Sequence, residues 1–326
     1  SWEERYGNGN NPRWVATLRH CGHFEGLREA GESPMPRLRV GDVEYLALPI
    51  ATEYWMPGDD FTETISHKIR DVVRDDDLIA LSEKAISVAT GNIVDESEIK
   101  PGWLANLIGE LWMPLLWGYL LGRICHLRPK TIQRLRKYPR VEGSRHKELV
   151  LRRAGLLQSL RHGSEGGIDG SNVAFSYVSL PLPEPQRTAE HIRKRLSTML
   201  SRTVAVSIID TDMTYSLGSI HFTPRPNPIQ GIHSFGGVFA YIIGRMLKLR
   251  PRATPLAIVG WKVSIEEALN IAELVHHSRK EGAGKTVWDM AERFNTDLTS
   301  VSWDMLKSVE HFPIVLVRKR SSARRL

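Results

Sequence analysis

Residues 204–212 read VAVSIIDTD, six uncharged and mostly β-branched or small residues that run straight into Asp210, Thr211 and Asp212. A short apolar run bounded by polar residues is the pattern of a strand buried on both faces. Three oxygen-bearing side chains would then emerge at its carboxyl end, and ligands gather beyond strand ends in sheet proteins. One stretch therefore predicts both a central sheet strand and the place of a site.

Working towards the N-terminus, Arg187 to Leu200 reads as a helix with Ile192, Leu196 and Met199 inward, entered through the extended connector Leu180 to Pro185. Before it, residues 162–172 read HGSEGGIDGSN, a loop with four glycines where backbone can approach a ligand closely. Leu78 to Leu81 is a second buried-strand candidate, followed by Ser82-Glu83-Lys84, and Gly91 to Val94 reads as a turn into a further strand. Further upstream lie an alternating stretch at Val43 to Pro49, a turn at Pro57 to Asp60, and a helix from Phe61 to Arg74 with Ile65, Ile69 and Val72 on one face, Asp59 or Asp60 capping it. Downstream come a Gly-, Pro- and His-containing stretch (Gly218 to Gly237), a strand near Leu256 to Trp261, a helix from Ser264 to His277 and a last strand from Pro313 to Val317. The organisation expected is an extension over 1–35, a core with the motifs over 36–215, and 216–326 as the C-terminal part of the same unit.

At 326 residues, 41% hydrophobic and 25% charged, the chain can build a substantial core. Two cysteines, Cys21 and Cys125, are too few for a disulfide framework and lack zinc-site spacing, so a reducing, cytoplasmic setting is expected. A net charge of +7, concentrated from Arg123 to Arg161 and in Arg318 to Arg325, suits an anionic ligand or is a solvated surface. Aromatic interleaving on a basic face is not evident, which argues against nucleic acid. Trp103 to Leu121 is long and apolar enough for a membrane span, but Glu110 and Pro114 sit mid-stretch, so a buried or interface helix is expected instead. The histidines His20, His23, His221, His233, His276 and His277 lack the spacing of a transition-metal site.

Asp169 and Asn172 in the glycine loop, with Asp210 and Thr211 at the strand end, form the leading constellation. Hard divalent cations take oxygen ligands, and one or two carboxylates suffice when phosphate and water complete the shell. The competing reading is that Asp169 and Asn172 only close Asx turns. Gly282-Ala283-Gly284-Lys285-Thr286 ends like a P-loop, but the position of the required earlier glycine is Arg279 and no apolar strand leads in, so a loop before a helix at Val287 is expected.

Four motifs in order carry a family resemblance. Pro57-Gly58-Asp59-Asp60-Phe61, Leu81 to Val94 (LSEKAISVATGNIV), Gly167-Ile168-Asp169-Gly170-Ser171-Asn172-Val173 and Val204 to Thr211 are similar to the signatures of the coenzyme F420-0:gamma-glutamyl ligases. Weaker likeness continues through Glu266 to Leu274 and Pro313 to Arg318. The resemblance implies an α+β fold of mixed sheets packed with helices, as an intertwined homodimer to which Trp103 to Leu121 could contribute. It also implies an amide ligase that uses GTP or ATP to activate a small-molecule carboxylate as an acyl phosphate for attack by a glutamate-like amine. Carried over by residue, Asp169 and Asp210 bind magnesium or manganese, Thr211 a second cation, and Asn172, Lys84 and Ser82 contact the nucleotide; a monovalent cation is a further cofactor the resemblance allows.

The chain departs from that pattern where the family has basic residues. Val88 replaces the second lysine of the serine-lysine motif, Thr90 its glutamate and Asn92 its arginine. After Thr211 two family arginines are missing, and Asp212 adds a carboxylate that could tighten a metal or repel a triphosphate. These losses motivate the alternative of a non-catalytic relative that binds an anionic ligand or a protein.

Overall fold

In the computed structural model, which describes residues 36–40, 43–280 and 282–321, the two apolar runs become adjacent parallel strands. The strands are β1 (Arg37–Val40), β2 (Val43–Thr52), β3 (Leu78–Ser82), β4 (Ile93–Asp95), β5 (Tyr177–Ser179), β6 (Ala205–Leu217), β7 (Ile220–Thr223), β8 (Ile232–Ser234), β9 (Pro251–Val259) and β10 (His311–Ser321). The helices are α1 (Phe61–Ile69), α2 (Glu83–Ala89), α3 (Trp103–Ile124), α4 (Pro129–Arg136), α5 (Arg140–Ala154), α6 (Leu156–Ser159), α7 (Pro185–Leu200), α8 (Val238–Met246), α9 (Ile265–Ser278), α10 (Val287–Phe294) and α11 (Trp303–Lys307). The expected extension over 1–35 lies outside the described residues, as does Cys21.

Eight strands form one mixed sheet in the order β1-β2-β10-β3-β6-β7-β8, with β9 added on β6, while β4 and β5 pair separately. The α+β class with a mixed sheet is therefore as expected. Successive strand residues point to opposite faces. Ile79 and Leu81 meet Ile65 and Ile69 of α1 and Ile192 and Leu196 of α7 on one face, and Leu78 and Ala80 share the other with Ile271, Leu274 and Val275 of α9. Covering both faces is why the strand carries no polar alternation; each Leu or Ile so buried contributes about 1.5–3 kcal/mol. Helix α9 is started by a capping box in which Ser264 and Glu267 exchange hydrogen bonds.

Two expectations need correction. Helix α1 ends at Ile69 rather than Arg74, leaving Val72 42% exposed while Val73 packs inward. The cause is local: the Asp77 carboxylate accepts from Arg74 N at 2.8 Å, and Val72 and Val73 both fold back onto Ile69 O, so the chain turns instead of continuing the helix. Asp60 is the cap, accepting from Glu63 N at 3.1 Å.

The second correction bears on the site, because β6 does not end at Asp210 but continues to Leu217. Its pairing with β9 shifts register between Asp210 and Met213, so Thr211 and Asp212 form a bulge, which re-aims side chains. On the opposite edge of β6, β3 pairs only as far as Ser82↔Ile209 and β7 begins only at Tyr215↔Phe222. Residues 210–214 therefore line a notch between two strands on the same edge.

Helix α3 widens to π-helical turns over Ile108–Leu121 and contains Pro114, which has no N–H for the helix ladder. Ile108, Met113 and Trp117 are buried, while Trp103, Leu107, Leu111, Leu115 and Tyr119 lie exposed. By length and composition it is the one helix among the described residues apolar enough to cross a membrane, and 33% of that window is buried. The Trp112 and Trp117 indoles both donate to Leu160 O, at 2.9 and 2.7 Å, and tie it down.

Candidate functional site

Because Ser82 is the last β3 residue to pair with β6, the first turn of α2 delivers Glu83 and Lys84 beside the notch. Lys84 Nζ donates to Asp169 Oδ2 at 2.6 Å, to Ser171 Oγ at 2.6 Å and to Ser171 O at 2.9 Å. The glycine loop is held there by backbone pairing of Asp169 with Ser179 of β5. Asp169 Oδ1 also accepts from Ser171 N at 2.7 Å, so the Asx turn is made as well as the ion pair. Ser82 caps α2 without a side-chain bond to it.

Asp210 receives a cation that sequence reading did not assign. Arg225, 1% exposed, donates through Nε to Asp210 Oδ2 at 2.6 Å, through Nη2 to both Glu83 oxygens at 2.6 Å, and through Nη1 to Gly166 O at 2.8 Å. Gly167 makes room for it: φ is +91°, and a Cβ there would fall 2.3 Å from Arg225 Nη1. The loop glycine thus admits an arginine of this chain rather than a ligand. Burial, with Asp210 close by, pushes the Glu83 carboxyl up to about 7 against the pull of Arg225.

Asp212 lies deeper and faces Arg161 at 3.3 Å. Burial raises its carboxyl to about 6 despite that partner. Arg161 leads into a buried network in which Lys147 Nζ donates to Arg161 O at 2.6 Å and to Glu165 Oε1 at 2.7 Å. His146 sits between Glu96, at 2.6 Å, and Glu165. Burial opposes charging His146, but the two carboxylates outweigh it and raise the imidazole to about 10. Thr211 is exposed at the bulge.

Asn172 meets the segment that resembles a P-loop. Its Oδ1 accepts from Ala283 N and its Nδ2 donates to Gly284 O, both at 2.7 Å, while its carbonyl accepts from the Tyr54 hydroxyl. The segment links helix α9 to α10, with Thr286 capping α10, so it is a helix-loop-helix connection as expected. The departures from the family pattern have structural roles. Val88 is 1% exposed in a cluster with Tyr54, Val173, Ala283 and Met290. Asn92 holds the connector by donating to Leu180 O and Pro181 O at 3.1 Å, and the Thr90 hydroxyl closes α2 on Ile86 O at 2.8 Å.

The carboxylate and hydroxyl oxygens of Asp169, Asp210 and Thr211 suit a hard cation that draws further ligands from phosphate and water. One oxygen of each acid is held by Lys84 or Arg225, and no three acidic, His or Cys side chains converge as a cage among the described residues. Glu83, Arg161 and Arg225, which surround Asp210 and Asp212, are charged residues that sequence reading left unassigned. A signal existed for Arg225, which stands between Pro224 and Pro226 in an otherwise uncharged stretch.

Residues 49–253 match the family model described as F420-0:Gamma-glutamyl ligase. An uncharacterized protein of Methanocaldococcus jannaschii is 37% identical over 285 residues, covering 83% of this chain and 96% of that protein. The coenzyme F420:L-glutamate ligase of Methanopyrus kandleri is 26% identical over 48% of this chain, and that of Archaeoglobus fulgidus 27% over 54%. Those two matches span 54% and 61% of the ligases' own lengths. The matched segment contains β3, the glycine loop and the notch of β6, and the chain belongs to the F420-0:gamma-glutamyl ligase family.

Proposed function

We propose that the protein is a divergent amide ligase, dependent on a nucleoside triphosphate and a divalent metal, that joins a glutamate-like amino acid to a small-molecule carboxylate. The observation that carries the reading is the ion pair of Lys84 with Asp169 beside the notch of β6 that bears Asp210, which joins a phosphate-seeking cation to a metal-seeking acid. In this reading Asp169 and Asp210 hold magnesium or manganese and Thr211 a second cation. Ser82, Lys84 and Asn172 hold GTP or ATP. A bound divalent cation supplies charge neutralisation at phosphate oxygens.

The reaction balances without redox chemistry. A substrate carboxylate oxygen attacks the γ-phosphorus and nucleoside diphosphate leaves; the amine nitrogen then attacks the acyl carbon, phosphate leaves, and the amine loses a proton. Such phosphoryl transfer depends mainly on positioning and electrostatic stabilisation, which fixed cations and a glycine-bearing loop can supply. The exposed stripe of α3 offers an interface for a homodimer.

A non-catalytic relative that binds an anion or protein is the second reading, and the position of Arg225 between Asp210 and Glu83 favours it, since an internal cation already serves the acids. Calorimetric titration of GTP and ATP with manganese into wild type and Asp210→Ala separates the two. The ligase reading expects metal-dependent nucleotide binding that Asp210→Ala abolishes. No metal-dependent binding by wild type retires it.

A further inference from the structure

Arg279, half-buried, differs from the buried arginines. Arg161, Arg225 and Arg252 each make ion pairs with carboxylates, whereas Arg279 makes no hydrogen bond or ion pair among the described residues. Its Nε and Nη2 are both buried and unpartnered. Leaving donors of a charged group unsatisfied away from water is costly, so such a group is retained where an anion completes it.

Its place in the chain makes the anion's location specific. Arg279 directly follows α9 and lies three residues before Gly282, which opens the loop clasped by Asn172. Three residues of extended chain span roughly 10 Å at most, so the Arg279 backbone stays within that reach of Gly282, whose Cα stands beside the Asn172 amide. Asp210 is the acid whose charge acts on it, while burial pulls its guanidinium down to about 10.

We propose that Arg279 is a phosphate-binding residue of the site, supplying positive charge to it from the C-terminal segment. The inference rests on the nucleotide-dependent reading above and names the anion as a polyphosphate. Arg279 would donate Nε and Nη2 to phosphate oxygens in the forked geometry that a guanidinium favours.

The test uses the full chain and sodium tripolyphosphate without metal, so that it does not depend on turnover. Wild type is expected to bind the probe, Arg279→Ala to bind at least tenfold more weakly, and Arg279→Lys to fall between them. Arg279→Met, which removes the buried charge but keeps the side-chain volume, is expected to leave the unliganded melting temperature unchanged or raise it. Tripolyphosphate binding within twofold of wild type in Arg279→Ala, no binding by wild type, or a lower melting temperature in Arg279→Met would each overturn the assignment. Intact tripolyphosphate binding without metal-dependent nucleotide binding would instead sink the ligase reading and leave Arg279 as an anion site.

Discussion

Arg225 stands between Asp210 and Glu83, reaching Asp210 Oδ2 through Nε and both Glu83 oxygens through Nη2, each at 2.6 Å. One guanidinium thus serves two acids that repel each other, inside a region where uncompensated charge is expensive. Arg225→Met should cost about 3–5 kcal/mol, because it strands both carboxylates. Urea denaturation of the variant checks this, and a loss below about 1 kcal/mol would show that the acids are neutralised in some other way.

Gly167→Ala tests the same arrangement from the backbone side. A methyl group would stand 2.3 Å from Arg225 Nη1, on a residue whose φ is +91°. Strain and displacement together should cost about 2 kcal/mol. Gly163→Ala shares the positive φ but meets nothing within 4 Å, so thermal melts of the two variants separate backbone strain from the loss of the Arg225 contact.

The network around His146 predicts a pH dependence. Its folded pKa is raised from 6.5 to about 10, so the stability it contributes is fully present below pH 6.5 and is lost as pH rises through 10. Burial works against the Glu165 carboxylate, but Lys147 and His146 lower it from 4.5 to about 2, so its contribution is present above pH 4.5 and lost as pH falls through 2. The stability difference between wild type and His146→Asn should be flat between pH 4.5 and 6.5 and shrink towards pH 10. A constant difference across that alkaline range would mean that His146 is not charged in the folded protein.

Lys84 and Asp169 are each partly open to solvent, with side chains 24% and 21% exposed, so their attraction is screened. A double-mutant cycle of Lys84→Met and Asp169→Asn should give a coupling of about 0.5–1 kcal/mol. Raising the salt concentration should reduce it. A coupling that is zero at low salt would remove the pair as an organiser of the glycine loop.

Much of this architecture was legible because burial on both faces leaves a plain trace: Leu78 to Leu81 and Val204 to Ile209 could hardly be anything but covered strands. The Asx turn at Asp169 was legible from residue type in a glycine loop, while joining that loop to Asp210 came from the family resemblance and not from spacing. The notch was not legible, because it arises from where β3 stops and β7 starts, and an apolar period carries no information about how far a partner strand extends. Val88 read as a lost cation, yet it packs with Tyr54 and Met290, a contact between segments distant in sequence. Arg225 was passed over for the same reason: its fifteen-residue separation from Asp210 is bridged by a β-hairpin and a proline-flanked turn that only three-dimensional pairing brings back.

Since β6 runs through Asp210 without stopping and is gripped by β9 on its far edge both before and after the bulge, that acid has no hinge of its own. It behaves as an anvil fixed in the sheet. The glycine loop and the stretch from Gly282 to Thr286 hold each other through the Asn172 amide, so they should open and close together. Hydrogen exchange at Ala283, whose N–H is held by Asn172, should then report on both pieces at once.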